Sequence, residues 1–264
     1  MTIGVTEFSM AVTRSPADSA VNGLRAVDRG QPDIIQMRND HTDYCAALAS
    51  TGAKIINLPP LDEFPDAQFV EDTALCLPEG VIFMAPGAES RRGEVACMQK
   101  DIAHLFGEVH HIHPPAFIEG GDILVTGREI LVGLSDRTNP AGISALGAIV
   151  SRWGYQLREV KTPPGVLHFK TDCALLDDHV VLATSRLASS GCFDDYDVIL
   201  TAEGEEAAAN CIRFNDLVIM PAGFAATEAR IKAAGFDLRT VNNSECAKID
   251  GGMSCLSLRF NTPA

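Results

Sequence analysis

Three residues of the types used in covalent catalysis, Glu119, His168 and Cys255, each stand at the opening of a short apolar stretch. Cys255 lies in DGGMSCLSLRF, read from Asp250, just after a glycine pair and at the expected start of a final strand. Glycine permits unusual dihedrals and close backbone approach, so main-chain N–H groups can meet charge that develops on a nucleophile there. Taken alone, a strand cysteine is more often a small core residue. A nucleophilic thiol needs a proton donor or acceptor nearby, and His168 opens another hairpin after the apolar approach PGVL. Glu119, in FIEGGDIL from Phe117, is an acid set between an apolar entry and two glycines. A turn carboxylate accepting backbone N–H bonds explains it equally well.

Further acids and arginines could hold a ligand. Glu71 and Asp72 are neighbours in FVEDTAL from Phe69, at the expected start of a strand, so their side chains should point to opposite sides and one should face a ligand. Asp66 follows Pro65 and fits either a turn or a site. Arg91, with Arg92 beside it, and Arg137 follow the second strands of two hairpins, and a planar guanidinium fork is the natural partner of a carboxylate. His110, His111 and His113 precede Pro114 and Pro115 in an apparent loop, and no further ligands stand at zinc-site spacing. No metal is expected there.

Composition narrows the partners. With 35 acidic against 21 basic residues and a net charge of −14, the chain lacks the positive field that nucleic acids and anionic membranes require. The same field suits a small cation, although solubility alone also explains it. No apolar run approaches the roughly 20 residues that span a bilayer, and Met1 to Ser9 lacks the pattern of a secretion signal, so the expected location is cytoplasmic. The eight cysteines are scattered with no CxxC pair, and most lie in apolar stretches as core residues.

What positions the candidate residues is a recurring unit. An acidic or polar cluster, a strand, a turn and a second strand occur from Phe69, Phe117, His168, Ala209 and Ile249. With Glu71, Glu119, His168, Asn210 and Asp250 as anchors, the period is roughly 40 to 50 residues, within the range of repeat and propeller folds. The turns PEG, TGR, LDD and FND are those of tight hairpins. Helical patterns follow at Glu89 to Phe106, Pro140 to Trp153 and Thr227 to Ala234. The last hairpin ends at Phe260 without its partner, which the strand Met10 to Thr13 should supply, closing a ring of five units with all hairpin starts at one central mouth. Between Asp18 and Leu48 the helical pattern is broken at Arg25 to Asp33, which reads as a mobile loop near that mouth.

At this point FVED from Phe69, FIEGGD from Phe117, GLSDRTN from Gly133, LHFKT from Leu167 and IDGGMSC from Ile249 together resemble the guanidine-modifying superfamily of the pentein fold. The resemblance is closest to the dimethylarginine dimethylaminohydrolase family and runs in order from about Ala11 to Phe260. It implies an α/β fold, a five-bladed propeller with pseudo-fivefold ββαβ repeats, and one hydrolase domain over residues 1–264. It further implies Cys255 as nucleophile, His168 as general acid and base, and Glu119 as the orienting carboxylate. Substrate residues would be Leu24, Asp66, Phe69, Glu71, Asp72, Arg91, Arg137 and the backbone of Ile249. The arginines would hold a substrate carboxylate, the acids its cationic ends, and the segment after Leu24 would form a lid. The implied reaction converts a methylated arginine to citrulline and a methylamine through a covalent thiouronium, without cofactor or metal. The partner is a small cationic amino acid, and a homodimer is one assembly compatible with it.

One departure concerns specificity. Arginine deiminases of the superfamily carry an aspartate two residues after the histidine; here that position is Lys170, which is compatible with methyl groups on the guanidine. Asp172 could substitute from another strand position. A deiminase or citrulline-type hydrolase on an unmethylated substrate is therefore the alternative. A non-catalytic binding protein of the same fold, such as a ribosome-binding factor, gives no reason for Cys255, His168 and Glu119 to recur at hairpin starts, and an acidic surface does not suit RNA.

Overall fold

The computed structural model describes residues 5–261; the first four residues of the stretch read for a secretion signal lie outside them. Each apolar hairpin pairs its strands antiparallel and then receives a third strand parallel to the second, giving five three-stranded sheets. A parallel third strand requires a crossover, and the segments between second and third strands supply it. In the second sheet, Ala74–Leu77 and Gly80–Phe83 are followed by the helix Arg92–Ile102 and the strand Val109–His111. The third repeats this with Ile123–Val125, Ile130–Leu134, the helix Pro140–Val150 and Leu157–Lys161. Its helix starts where Asn139 accepts the Gly142 N–H at 2.8 Å and Pro140 occupies the first turn.

The fourth sheet joins Cys173–Asp177, Val180–Ala183 and Asp197–Leu200 with only a four-residue helix, Ser185–Ala188. Its brevity left no periodic signal in the sequence. The fifth comprises Ile212–Phe214, Leu217–Pro221, the helix Ala225–Ala233 and Asp237–Val241. The first sheet closes the ring: Leu258–Phe260 runs antiparallel to Met10–Arg14, with Met10 opposite Phe260, and Lys54–Leu58 lies parallel on the other side. Its crossover helix, Ile34–Ala49, begins where Asp33 accepts the N–H groups of Ile35 and Gln36 at 2.9 and 3.1 Å. Apolar side chains of adjacent sheets and their helices bury one another in five clusters, so no unit has a core of its own.

A feature that strand and helix periodicity could not reveal recurs at every hairpin entry. Each first strand is preceded by a single 3₁₀ turn: Val70–Thr73, Gly120–Asp122, Phe169–Thr171, Glu206–Ala209 and Ser254–Leu256. Three expectations are corrected here. Cys255 lies in such a turn rather than at the start of the strand, and Glu71 and Asp72 are 3₁₀ residues rather than alternating strand positions. His110 and His111 also belong to the strand Val109–His111, not to a loop. Among the described residues no helix is long and apolar enough to cross a membrane.

Candidate active site

The 3₁₀ turns point polar side chains toward the axis of the ring, and burial there forces each to find a partner. Cys255 is buried, and its Sγ accepts the Gly252 N–H at 3.5 Å and an Nδ2–H of Asn210 at 3.9 Å. The glycine pair is needed for packing: a Cβ at Gly251 would run into the Phe69 ring, and one at Gly252 into the Asn210 amide. Burial first, then the charges of Glu71 and Asp72, push the thiol up to about 12. The resting sulfur is therefore a thiol.

His168 opens the Phe169–Thr171 turn, and its Nε2 meets Oε2 of Glu119 at 2.7 Å and lies 4.0 Å from Oδ1 of Asp72. Burial alone would lower its pKa, but Asp72, the hydrogen bond to Glu119 and the charge of Asp122 raise it to about 9. Glu119 is fully buried; desolvation would raise its pKa, and the bond and charge of His168 with Arg91 and Arg137 hold it down at about 2. Asp122 fixes the base of this pair by accepting from Ser135 Oγ at 2.7 Å, Thr138 Oγ1 at 2.6 Å and the Phe169 N–H at 2.8 Å. The result is an imidazolium on a carboxylate.

Of the residues expected to form the site, Leu24, Asp66, Phe69, Asp72, Arg91, Arg137, His168, Ile249 and Cys255 line one cavity of about 170 Å³. Glu119 sits beneath it. Glu71 does not reach it: Lys170 Nζ at 2.5 Å, Arg259 at 2.7 Å and Ser254 Oγ at 2.8 Å hold its carboxylate on the far side. A larger cavity of about 220 Å³ opens there with mainly apolar walls, but neither Cys255 nor His168 lines it. Lys170 is thus turned away from the ligand cavity. Asp172 cannot replace the missing aspartate, because Arg186 at 2.5 and 2.6 Å and Thr184 at 2.9 Å engage it elsewhere.

The arginines differ in freedom. Arg91 is buried and directs its N–H groups at Asp72, Glu94 and the carbonyls of Asp66 and Phe69, which leaves at most one for a ligand. Arg137 makes only long contacts to Glu119, at 3.4 and 3.5 Å, and keeps 20% of its side chain exposed. Asp66 accepts the Leu24 N–H at 3.0 Å, and Asp250 accepts the Ala26 N–H at 2.5 Å from a left-handed conformation, φ 58°. The segment read as a lid therefore lies pinned over the cavity, with Arg25 and Ala26 among its lining. Sequence patterning placed Asp250 among the repeat anchors and the segment from Arg25 near the mouth, but gave neither Arg25, Ala26 nor Asp250 a contact in the site.

Asp72, Glu119 and His168 offer ligand atoms within 4.8 Å of one another, enough in number for a metal ion. A metal ion would have to displace the Arg91 guanidinium from Asp72 and the His168 ring from Glu119, because both carboxylates are already engaged by those bonds. They fit a proton-transfer site better.

The arginine deiminase family model matches residues 59–194. The chain is 40% identical over 254 residues to the dimethylarginine dimethylaminohydrolase of Pseudomonas aeruginosa, covering 96% of this chain and 100% of that one. A crystal structure of a cysteine-to-serine variant of the Pseudomonas aeruginosa enzyme complexed with citrulline superposes with a TM-score of 0.94 at 39% identity, covering 96% and 100% of the two chains. The N-terminal domain of a cyanobacterial arginine dihydrolase shares the fold, with a TM-score of 0.85 at 19% identity over 96% of this chain and 98% of that one.

Proposed function

Since the chain belongs to the dimethylarginine dimethylaminohydrolase family, we propose that it hydrolyses Nω-methylated arginine to citrulline and a methylamine through a thiouronium on Cys255. The observation that carries this reading is one acid-lined cavity that presents both a buried thiol and a carboxylate-held imidazolium. The guanidinium enters beside Asp72 and Asp66, and its charge offsets the carboxylates that hold the Cys255 proton, so that proton leaves to water as the ligand binds and the sulfur becomes a thiolate. Sulfur then adds to the guanidinium carbon. His168 gives its proton to the departing amine, and the C–N bond breaks to leave the thiouronium. Neutral His168 next takes one proton from water as the water oxygen attacks that carbon, and the C–S bond cleaves while the remaining hydroxyl proton passes to the departing sulfur, releasing citrulline and restoring the Cys255 thiol and the imidazolium. The pinned Leu24 to Ala26 segment excludes bulk water while these charges move.

Lys170 bears on the choice between methylated and unmethylated substrates. Its ammonium points at Glu71, so no second carboxylate grips the outer guanidinium nitrogen, which leaves that nitrogen able to carry methyl groups. The purified protein is tested against asymmetric dimethylarginine, monomethylarginine, arginine and citrulline, with amine and ammonia measured separately. Amine release from the methylated compounds is expected; ammonia from arginine as the main product would replace this reading with a deiminase. The ring closure by Met10–Arg14 supports a single hydrolase unit over the chain, and eight free cysteines support a reducing, cytoplasmic setting.

Arg137 should act on the substrate carboxylate alone. Its loosely held fork can donate charge-assisted hydrogen bonds worth roughly 1.5–3 kcal/mol, so Arg137→Ala should raise KM about tenfold or more with kcat changed less. A decarboxylated dimethylarginine analogue should be nearly unaffected. Measured kcat/KM for both compounds decides this: equal losses would make Arg137 a support for Glu119 rather than a substrate contact.

A further inference from the structure

We propose that Asn210 is the positioning residue of the nucleophile, reaching from the fifth sheet's entry to the turn 252–255 and aiming a neutral N–H donor at the Cys255 sulfur. The inference rests on the reading of Cys255 as nucleophile. Asn210 stands between the Glu206–Ala209 turn and the strand Ile212–Phe214, in a repeat that contributes none of the acids, arginines or histidine of the cavity. Its own contacts are all directed at one place. Oδ1 accepts the Ser254 N–H at 2.9 Å, the main-chain oxygen accepts the Met253 N–H at 3.3 Å, and Nδ2 donates toward Sγ at 3.9 Å. Its amide also fills the space that a side chain at position 252 would need.

The two N–H groups so engaged, of Met253 and Ser254, belong to the tight turn that carries the nucleophile and would otherwise be buried without partners. Asn210 therefore fixes where the sulfur stands and, through Nδ2, favours charge on it. Its donor matters because the surroundings oppose that charge: Glu71 and Asp72 lie close, and among the described residues the remaining sulfur donor is the Gly252 N–H. A neutral amide serves here where a cation would not, since a cation would compete with the incoming guanidinium for Asp72.

Asn243 provides a built-in comparison. It also holds this loop, donating from Nδ2 to the Gly251 carbonyl at 2.8 Å, but no contact links it to the sulfur. The experiment measures the rate of Cys255 alkylation by iodoacetamide from pH 7 to 10, located by mass spectrometry, together with kcat, KM and thermal midpoint, for Asn210→Ala, Asn210→Asp and Asn243→Ala. Asn210→Ala should alkylate about tenfold more slowly at each pH and lose about tenfold in kcat, with KM changed less than about threefold. Asn210→Asp keeps the acceptor for Ser254 but not the donor, so it should fold even where the alanine variant does not, and should alkylate more slowly still. Asn243→Ala should lower the thermal midpoint and leave the alkylation profile in place. The proposal is overturned if the folded Asn210 variants match wild-type alkylation, or if Asn243→Ala slows it equally. Loss of turnover in Cys255→Ser alongside unchanged Asn210 variants would remove this proposal alone, whereas turnover surviving in Cys255→Ser would remove the reading beneath it.

Discussion

Serine at position 255 should yield a folded protein that binds dimethylarginine and does not turn it over. The thiol is already a reluctant acid, pushed to about 12 by burial, Glu71 and Asp72, and on the proposed mechanism it reaches its anion only when a guanidinium offsets those charges. An alcohol starts several units further from ionisation, so the same substrate charge leaves it protonated and unable to attack. Loss of the nucleophile in a covalent mechanism costs on the order of 10³-fold or more in kcat. On the proposed reading, binding draws instead on Asp66, Asp72, Arg91 and Arg137, whose partners do not include Sγ, so the dissociation constant measured by calorimetry should stay within about threefold. Retention of more than about a tenth of wild-type kcat, a change under roughly 1.4 kcal/mol, would mean that another group attacks.

The parts of this site that depend on order along the chain were open to sequence reasoning, and those that depend on close packing were not. Hairpin turns and apolar strands placed five repeats, and the unpartnered hairpin ending at Phe260 pointed to the strand Met10 to Thr13, which the register Met10 opposite Phe260 bears out. The helix Ser185–Ala188 escaped because four residues carry no period. The 3₁₀ turns escaped for a related reason: one turn of three or four residues leaves no pattern, yet it decides which way each polar side chain faces. Glu71 shows the consequence. Strand alternation left open which neighbour faces the ligand, and the buried cations Lys170 and Arg259, far away in sequence, draw Glu71 to the other side. Likewise Arg91 reads in sequence as a fork for a carboxylate, and only the fold reveals that Asp72, Glu94 and two carbonyls take all but one of its N–H groups.

Glutamine at position 119 should produce the other large effect, and its signature is in the pH dependence. His168 holds its proton up to about 9 against its burial because of Asp72, the 2.7 Å bond to Glu119 and the charge of Asp122. An amide at 119 keeps the shape but removes one of the charges, so the imidazole should release its proton at lower pH. The departing amine then lacks its donor at neutral pH, and kcat should fall about 100-fold, within the usual worth of general acid–base catalysis. The alkaline limb of the kcat profile should move toward neutrality, and an NMR titration of the His168 ring should move with it. Stability provides an independent check of sign. His168 has a folded pKa of about 9, raised from 6.5, so its contribution is complete below pH 6.5 and lost as pH rises through 9. Glu119 is lowered from 4.5 to about 2, so its contribution is present above pH 4.5 and lost as pH falls through 2. The two overlap fully between those unfolded values. The difference in thermal midpoint between wild type and Glu119→Gln should therefore be greatest near pH 5 to 6 and shrink toward pH 9 on one side and pH 2 on the other. A difference that is flat across this range, with the His168 titration unmoved, would mean that Glu119 supports Arg137 and the Ala88 N–H without governing the proton on His168.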